Sequence, residues 1–260
     1  MRRVLMPLAA MLAMSVCALA QPAAQPLTSV AIFKVKPGKT SDWIAVIKGV
    51  YAPMLEQLLK DGVITAYGAD LDLLHQGAKP SASAWITMPN WASFQKVVAG
   101  LEEVQKKNPG QMVRMQEATD PDAHSDLLLR SPVFNMKTPP AGALPVTSFT
   151  MNTVKAGKSE AYMKLFNTHT KPVLEQLLQD GTIYGYGVDM EVEHSMPVGT
   201  RVEWISMPNL AARDKVNAAF REARGKLSEE GRRVLQANFE EAMEGEHKDW
   251  TSLSVVFSSK

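Results

Sequence analysis

The strongest constraint on the fold of this 260-residue chain is an internal repeat. The stretch PMLEQLLKDGVITAYGADLDLLH at residues 53–75 recurs at residues 172–194 as PVLEQLLQDGTIYGYGVDMEVEH. At this offset of 119 the match runs without a gap from Ser29 to Asn90, and about a third of the positions are identical, far more than chance would give. The chain therefore contains two copies of one folding unit.

Each copy has the same order of predicted elements. A strand rich in β-branched and aromatic residues comes first, at residues 28–36 and again at 146–155. A helix with an apolar i, i+3, i+4 stripe follows, interrupted by Pro53 in one copy and by Pro172 in the other. Two further strands, a second helix and a last strand complete the unit. The order β-α-β-β-α-β is the ferredoxin-like split βαβ arrangement.

The repeat also predicts the domain organisation. We expect a first ferredoxin-like repeat at residues 28–136, a linker at 137–145 and a second repeat at 146–260. The three prolines of KTPPAGALP are typical of a linker. One such repeat carries helices on a single face of its sheet, so its other face needs a cover. The sheet of the second copy is the most economical cover.

In this duplicated element order the chain resembles the dimeric α/β-barrel superfamily. That superfamily includes antibiotic-biosynthesis monooxygenases, EthD and stress-responsive barrel proteins, and haem proteins related to chlorite dismutase. The resemblance covers residues 28–258. It implies an α+β fold in which two tandem ferredoxin-like repeats form a pseudo-dimeric α/β barrel. Because the partner is built into the chain, we expect a monomer with internal pseudo-twofold symmetry.

The N-terminal segment predicts export. Residues 1–20 combine an arginine pair, an apolar run and an Ala-Leu-Ala motif before Gln21, as a cleavable signal peptide does. The apolar run is short for a membrane-spanning helix, and a lipoprotein is disfavoured because the residue before Cys17 is not small. We therefore expect a periplasmic or secreted protein whose mature chain begins at Gln21.

The composition disfavours two classes of partner. The chain has 28 Lys and Arg residues against 27 Asp and Glu residues, and signal cleavage would remove two arginines, which leaves a net charge near −1. This balance attracts neither nucleic acid nor an anionic membrane, so we expect only a small-molecule ligand as partner. The single cysteine, Cys17, leaves with the signal peptide, so no disulfide is predicted.

Eight residues that are identical between the copies are the candidate ligand-binding residues: Tyr67, Asp70, His75, Trp85, Tyr186, Asp189, His194 and Trp204. An imidazole can act as base, acid or ligand near neutral pH. A tyrosine and an aspartate can orient a phenolic or enolic substrate, and a tryptophan can form the floor of an apolar pocket. The alternative is structural, with aromatic rings in the core, carboxylates bonded to loop amides and histidines capping strand ends.

No metal site and no cofactor are predicted. The histidines show no HxH, HxxE or HExxH spacing, and the chain has no Gly-rich phosphate loop and no G-x-S-x-G elbow. The resemblance keeps haem as an alternative, because haem needs only one histidine, such as His75 or His194. His169 has no counterpart in the first copy, where Val50 stands, and it marks the second copy if only one pocket works.

These patterns leave three functional interpretations. The first is an exported α/β-barrel protein that binds a small apolar or aromatic ligand between sheet and helices. The second is a cofactor-independent monooxygenase-like enzyme for a phenolic or polycyclic substrate, which would need a water-excluding pocket more than a fixed motif. The third is a haem-binding barrel protein. The sequence leaves open whether the chain is an enzyme.

Overall fold

A computed structural model describes residues 25–73, 81–193 and 196–260. These ranges contain eight strands: β1 (Leu27–Lys34), β2 (Ala66–Asp72), β3 (Ser81–Met88), β4 (Ser125–Met136), β5 (Val146–Val154), β6 (Gly185–Glu191), β7 (Thr200–Met207) and β8 (Met243–Ser259). The predicted signal peptide lies outside the described residues.

The same ranges contain eight α-helices: α1 (Thr40–Val46), α2 (Ala52–Lys60), α3 (Trp91–Lys107), α4 (Pro109–Ala118), α5 (Ser159–Leu165), α6 (Lys171–Gln179), α7 (Ala211–Gly225) and α8 (Glu229–Ala242). Two π-helical turns join α1 to α2 and α5 to α6, at Ile47–Tyr51 and Phe166–Thr170, and a 3-10 turn spans Pro121–Ala123. None of the helices in the described part of the chain is long and apolar enough to cross a membrane.

The eight strands form one closed barrel in the order β1-β3-β2-β8-β5-β7-β6-β4, and all neighbouring strands are antiparallel. The last strand of each half pairs with the other half, because β8 lies between β2 and β5 while β4 lies between β1 and β6. The two contacts β2/β8 and β4/β6, here called the seams, therefore join the halves. This topology confirms the predicted pseudo-dimeric α/β barrel.

Proline shapes the first helical segment of each half. Pro53 and Pro172 lie at the start of α2 and α6, directly after the two π-helical turns. A proline has no backbone N–H, so the i→i−4 ladder is broken there, and the wider π-helical turn carries the chain past the break. The second long helix starts differently, since the side chains of Asn90 and Asn209 accept hydrogen bonds from the backbone N–H groups three residues later.

The alternation of side chains along each strand separates two environments. One set points outward and packs under the helices, as Tyr67 and Ile86 do against Leu55 of α2. The other set points into the barrel, as Gly68, Trp85 and Phe257 do at one level of β2, β3 and β8. The layer between sheet and helices and the interior of the barrel are therefore different places for a ligand.

Candidate functional site

The structure divides the predicted site residues between these two environments. Tyr67 and Tyr186 point outward into the layer between sheet and helices, whereas Asp70 and Asp189 point into the barrel with Trp85 and Trp204. His75 and His194 lie outside the described residues. The eight predicted residues therefore do not form one pocket.

The polar atoms of Asp70 are engaged within the barrel. Trp85 Nε1–H donates to Asp70 Oδ2 at 2.7 Å, and Ser254 Oγ–H donates to Oδ1 at 2.6 Å. Burial raises the pKa of Asp70 to about 6, against the lowering effect of these two donors. Because Ser254 belongs to β8, this carboxyl group links the two halves across one seam.

Asp189 repeats the arrangement at the other seam. Ser131 on β4 donates to Asp189 Oδ1 at 2.5 Å. Burial raises the pKa of Asp189 to about 7, and hydrogen bonds from Ser131 and Trp204 lower it in part. Each tryptophan lies flat against a glycine, since a Cβ on Gly187 would come within 2.6 Å of the Trp204 ring. The contacts of these inward residues hold the barrel together.

In the first half, the outward tyrosine is closed off by its neighbours. The Tyr67 hydroxyl donates to Glu56 Oε2 at 3.1 Å, and Ser258 donates to the same oxygen at 3.3 Å. Burial, together with the charge of Glu56, raises the pKa of Tyr67 to about 12. The hydroxyl is therefore already satisfied by protein groups.

In the second half, the equivalent tyrosine is left without a partner. Tyr186 is fully buried, at 0% exposure, and within the described residues its hydroxyl makes no hydrogen bond. Glu175, the counterpart of Glu56, instead approaches Lys171 at 3.6 Å, where the first half has Ala52. Burial raises the pKa of Tyr186; the side chains of Asn135 and Glu175 approach its hydroxyl without the geometry of a hydrogen bond, and Asn135 lowers this pKa whereas Glu175 raises it further.

A cavity of about 370 Å³ has Tyr186 in its wall, while the hydroxyl itself is closed to solvent. It is bounded by β4 and β6 on one side and by α5, the π-helical turn and α6 on the other, and its wall contains Pro132, Val133, Phe134, Asn135, Met163, Asn167, Lys171, Glu175 and Tyr186. We call it the Tyr186 cavity. Five of the nine wall residues are polar or charged, so this cavity is more polar than the mostly apolar walls of a typical small-molecule site.

Only Tyr186 of this wall is among the predicted residues, and the others were missed. The prediction relied on residues that are identical in the two copies, but three polar wall residues, Asn135, Asn167 and Lys171, differ between them. Asn135 stands where β8 has Ser258, and Asn167 stands where the first half has Lys48. A comparison of the copies for differences would have found them.

A cluster of polar side chains, here called the polar group, lies under α5, one strand away from the cavity. Tyr162 donates to Glu203 Oε1 at 2.6 Å, and Asn152 Nδ2 donates to the same oxygen at 3.2 Å. Burial raises the pKa of Glu203, while these donors lower it in part. Val188 pairs with Glu203 on one side and with Val133 of the cavity wall on the other, so it separates the two places.

Arg201 completes this polar group. It is 6% exposed, and its guanidinium donates to Thr200 O at 2.9 Å and to Ser159 Oγ at 3.0 Å. Burial lowers the pKa of Arg201, and its Nε has no partner among the described residues. A buried cation held only by neutral groups is costly for the fold.

The first half provides an internal control for the polar group. At the positions of Asn152, Tyr162, Arg201 and Glu203 it has Phe33, Trp43, Ala82 and Ala84. These four pack as an apolar cluster, in which the Phe33 and Trp43 rings meet edge-to-face at 5.9 Å. The fold therefore does not require polar residues at this place, and their presence in the second half has another cause.

The described wall of the Tyr186 cavity does not fit a haem. It contains neither histidine nor cysteine, methionine ligates haem together with a histidine, and the hydroxyl of Tyr186 is closed off from the cavity. Tyr162, Phe166 and Val188 fill the adjacent layer and are at most 1% exposed, so no slot for a macrocycle opens there. Within the described ranges, no three His, Cys, Asp or Glu side chains gather as a metal site. Haem stays a prediction that rests on His75 and His194.

The strand order and the two repeats define the structural class of this protein. The chain has the dimeric α/β-barrel fold, built here from two ferredoxin-like repeats in one polypeptide.

Solved structures share this architecture. A candidate monooxygenase of Fusobacterium nucleatum subsp. nucleatum aligns with a TM-score of 0.65 at 10% identity, over 91% of this chain and 95% of that one. A candidate monooxygenase of Lactobacillus acidophilus gives 0.63 at 10% identity, over 90% and 96%. A chlorite dismutase variant of Candidatus Nitrospira defluvii gives only 0.47 at 11% identity, over 89% and 92%. No protein-family model and no curated protein match the sequence. At such identities the likeness shows the fold alone.

Proposed function

We propose that this protein binds a small aromatic or apolar ligand between sheet and helices of its second half, in the Tyr186 cavity. The observation that carries this proposal is the contrast between two equivalent tyrosines. Tyr67 is hydrogen-bonded to Glu56, whereas the Tyr186 hydroxyl is buried behind the cavity wall and makes no hydrogen bond of good geometry within the described chain, although Asn135 and Glu175 lie near it.

The unpaired hydroxyl has an energetic consequence. A buried donor without an acceptor costs about 1–3 kcal/mol of folding free energy, so removal of this hydroxyl would stabilise the free protein. Because the hydroxyl is closed to solvent in the free protein, a ligand oxygen that recovers this cost has to displace a wall side chain on binding. The cavity volume of about 370 Å³ lies at the lower end of the range for small-molecule sites, roughly 300–1,000 Å³. One or two fused rings match this size.

The wall also indicates the polarity of the ligand. Val133 and Met163 form apolar contacts for a ring system, whereas the Phe134 ring lies against Trp204 inside the barrel. Asn135 and Asn167 add amide groups that can donate or accept. A phenol or an aromatic ketone, with one oxygen on an apolar ring system, is complementary to this arrangement.

The proposal is tested by titrating the full chain with 1-naphthol and 1-tetralone, with Tyr186→Phe compared to Tyr67→Phe. Loss of one ligand hydrogen bond should weaken binding to Tyr186→Phe by about two- to tenfold. Tyr67→Phe should bind as the wild type does. Equal affinities of the wild type and Tyr186→Phe for every probe would refute the site.

The two variants also differ in expected stability. Tyr186→Phe removes an unpaired hydroxyl and should leave the free energy of unfolding unchanged or higher. Tyr67→Phe breaks a hydrogen bond to Glu56 and should lower it by about 1 kcal/mol. Urea unfolding of both variants without ligand measures this difference, so a binding defect can be separated from a folding defect.

A second candidate function is monooxygenase-like chemistry on the bound phenol or enol. It is favoured by Glu203, a carboxylate with a raised pKa that is hydrogen-bonded to Tyr162 in the same layer. Such a group can accept a proton from an acidic O–H or C–H, and the resulting anion is the form that reacts with oxygen; because Val188 separates Glu203 from the Tyr186 cavity, this role requires the substrate to enter the layer under α5. Two neighbours in fold are themselves named as candidate monooxygenases.

This activity is tested with an oxygen electrode and the same phenolic and enolic probes. Oxygen uptake that depends on the wild-type chain and is lost in Glu203→Gln would support an enzyme. Tight binding with no oxygen uptake by the wild type would leave ligand binding as the function and dismiss the enzyme.

A further inference from the structure

A second cavity, of about 300 Å³, lies on the other side of α5, where α5 and the following π-helical turn face α8. We call it the α5–α8 groove. Its floor is apolar and includes Leu165 and the buried Ala242. It shares no wall residue with the Tyr186 cavity.

The first half shows what closes the equivalent groove between α1 and α4. Arg114 donates from Nε and Nη2 to Asp42 Oδ1, at 3.1 and 2.6 Å, and so bridges the two helices. The pairing with Arg114 is also the main cause that lowers the pKa of Asp42. A charged bridge thus occupies the space between these helices.

In the second half both partners of this bridge are replaced. Asp42 corresponds to Ala161 by the repeat offset. Lys36 N–H donates to Ala118 O and Lys155 N–H to Ala242 O, which makes the ends of α4 and α8 equivalent. Counted back from those ends, Arg114 corresponds to Asn238. Ala161 and Asn238 both line the α5–α8 groove, so loss of the bridge opens it.

The groove also gains basic groups. Lys164 and His169 line it, where the first half has Ala45 and Val50. Neither side chain has an ion-pair partner among the described residues. The acid in the wall, Glu241, is already paired with Lys158 at 2.5 Å. The groove therefore has an apolar floor beside an uncompensated positive charge.

We propose that the α5–α8 groove binds a small organic carboxylate, with its apolar body on Leu165 and its anionic group between Lys164 and His169. All four replacements between the halves favour this. Two remove the helix–helix bridge and create space, and two add hydrogen-bond donors for an anion. A small anion without an apolar body would pair with Lys164 but would leave the apolar floor exposed to water. The apolar body of the ligand is therefore part of the recognition.

The test uses benzoate as the probe, with acetate and inorganic phosphate as charge-only controls, on the full exported chain. Ring-proton NMR signals of His169 report occupancy. We expect saturable shifts with benzoate and at least about threefold weaker binding of acetate and phosphate, because they cannot cover the floor. Lys164→Ala should weaken benzoate binding by about three- to tenfold.

A double variant provides a decisive control. Ala161→Asp with Asn238→Arg installs the first-half bridge in the second half, where a closed form is already known to suit the fold. Benzoate shifts of His169 should then disappear while the unfolding midpoint stays near that of the wild type. Shifts that persist in this double variant, or equal binding of acetate and benzoate, would overturn the proposal. Because Tyr186→Phe leaves this groove intact, failure here is distinguishable from failure of the Tyr186 cavity.

Discussion

Replacing Asp189 by asparagine should stabilise the protein above neutral pH and should have little effect in acid. The carboxyl group is 6% exposed and holds Ser131 across the β4/β6 seam. Asparagine keeps the shape of the side chain. Its oxygen can accept from Trp204 and its amide can donate to Ser131, so both hydrogen bonds can be retained.

The magnitude follows from the raised pKa of this group. Burial holds the folded-state pKa at about 7 against an ordinary value of 3.8, so the folded protein binds the proton more tightly than the unfolded chain does. As pH rises from about 4 to about 7, the unfolded chain ionises first, and the native state loses stability across that window. Above pH 7 the loss corresponds to about 4 kcal/mol, which is an upper value for the gain in Asp189→Asn.

The assay is urea unfolding followed by tryptophan fluorescence at pH 4.5 and pH 8, on wild type and variant. The quantity of interest is the difference between variant and wild type at each pH, since other groups titrate in both proteins. We expect a gain of about 2–4 kcal/mol at pH 8 that falls to about 1 kcal/mol or less at pH 4.5. Asp70→Asn should behave similarly with a smaller gain, because the pKa of Asp70 is raised only to about 6.

An exposed aspartate gives the matched control. Asp122→Asn, on the 3-10 turn, should show no pH-dependent difference from the wild type. A stability change in Asp189→Asn that is equal at both pH values would refute the reasoning, because it would mean that the charge of the carboxylate is not what burial penalises.

Three further predictions concern packing and processing. Gly187→Ala should lower the free energy of unfolding by about 1–3 kcal/mol in urea titrations, because its Cβ would displace the Trp204 ring; wild-type stability would contradict that contact. Gly199→Ala should cost about 1–3 kcal/mol, since Gly199 has a φ of +97° and a Cβ would collide with Val154 O; an unchanged unfolding midpoint would contradict this backbone conformation. Protein recovered from the exported fraction should begin at Gln21 and have the mass of a single chain in native mass spectrometry; a retained N-terminus or a dimer mass would contradict the predicted processing or the predicted monomer.

The element order was predictable because local patterns determine it. Proline at residues 53 and 172, the asparagine caps and the period-two strands are all visible along the chain. The exchange of last strands between the halves was not visible, because it joins residues far apart in sequence. It depends on closure of the whole sheet, and no local pattern records which edge β4 or β8 will meet.

The candidate site was predictable only in part, for a physical reason. Residues that stay identical between two copies are those that both copies need for packing, as Asp70 and Asp189 show in the seams. A ligand cavity in one half appears instead as a difference, such as Lys171 in place of Ala52. Tyr186 was found because it belongs both to the residues repeated in the two copies and to the residues of the cavity wall. It is identical to Tyr67, but its surroundings have changed.

The exchange of last strands also fixes the time at which this chain can fold. β2 pairs Ala66 with Ser259, almost at the C-terminus, so the barrel cannot close until synthesis is nearly complete. Contacts of such long range carry a large loop-closure cost and make folding slow. Each half on its own would expose an unpaired edge of its sheet until the other half arrives. Until β8 is in place, β2 and β5 each lack a neighbour on one side, so the final residues of the chain close the barrel.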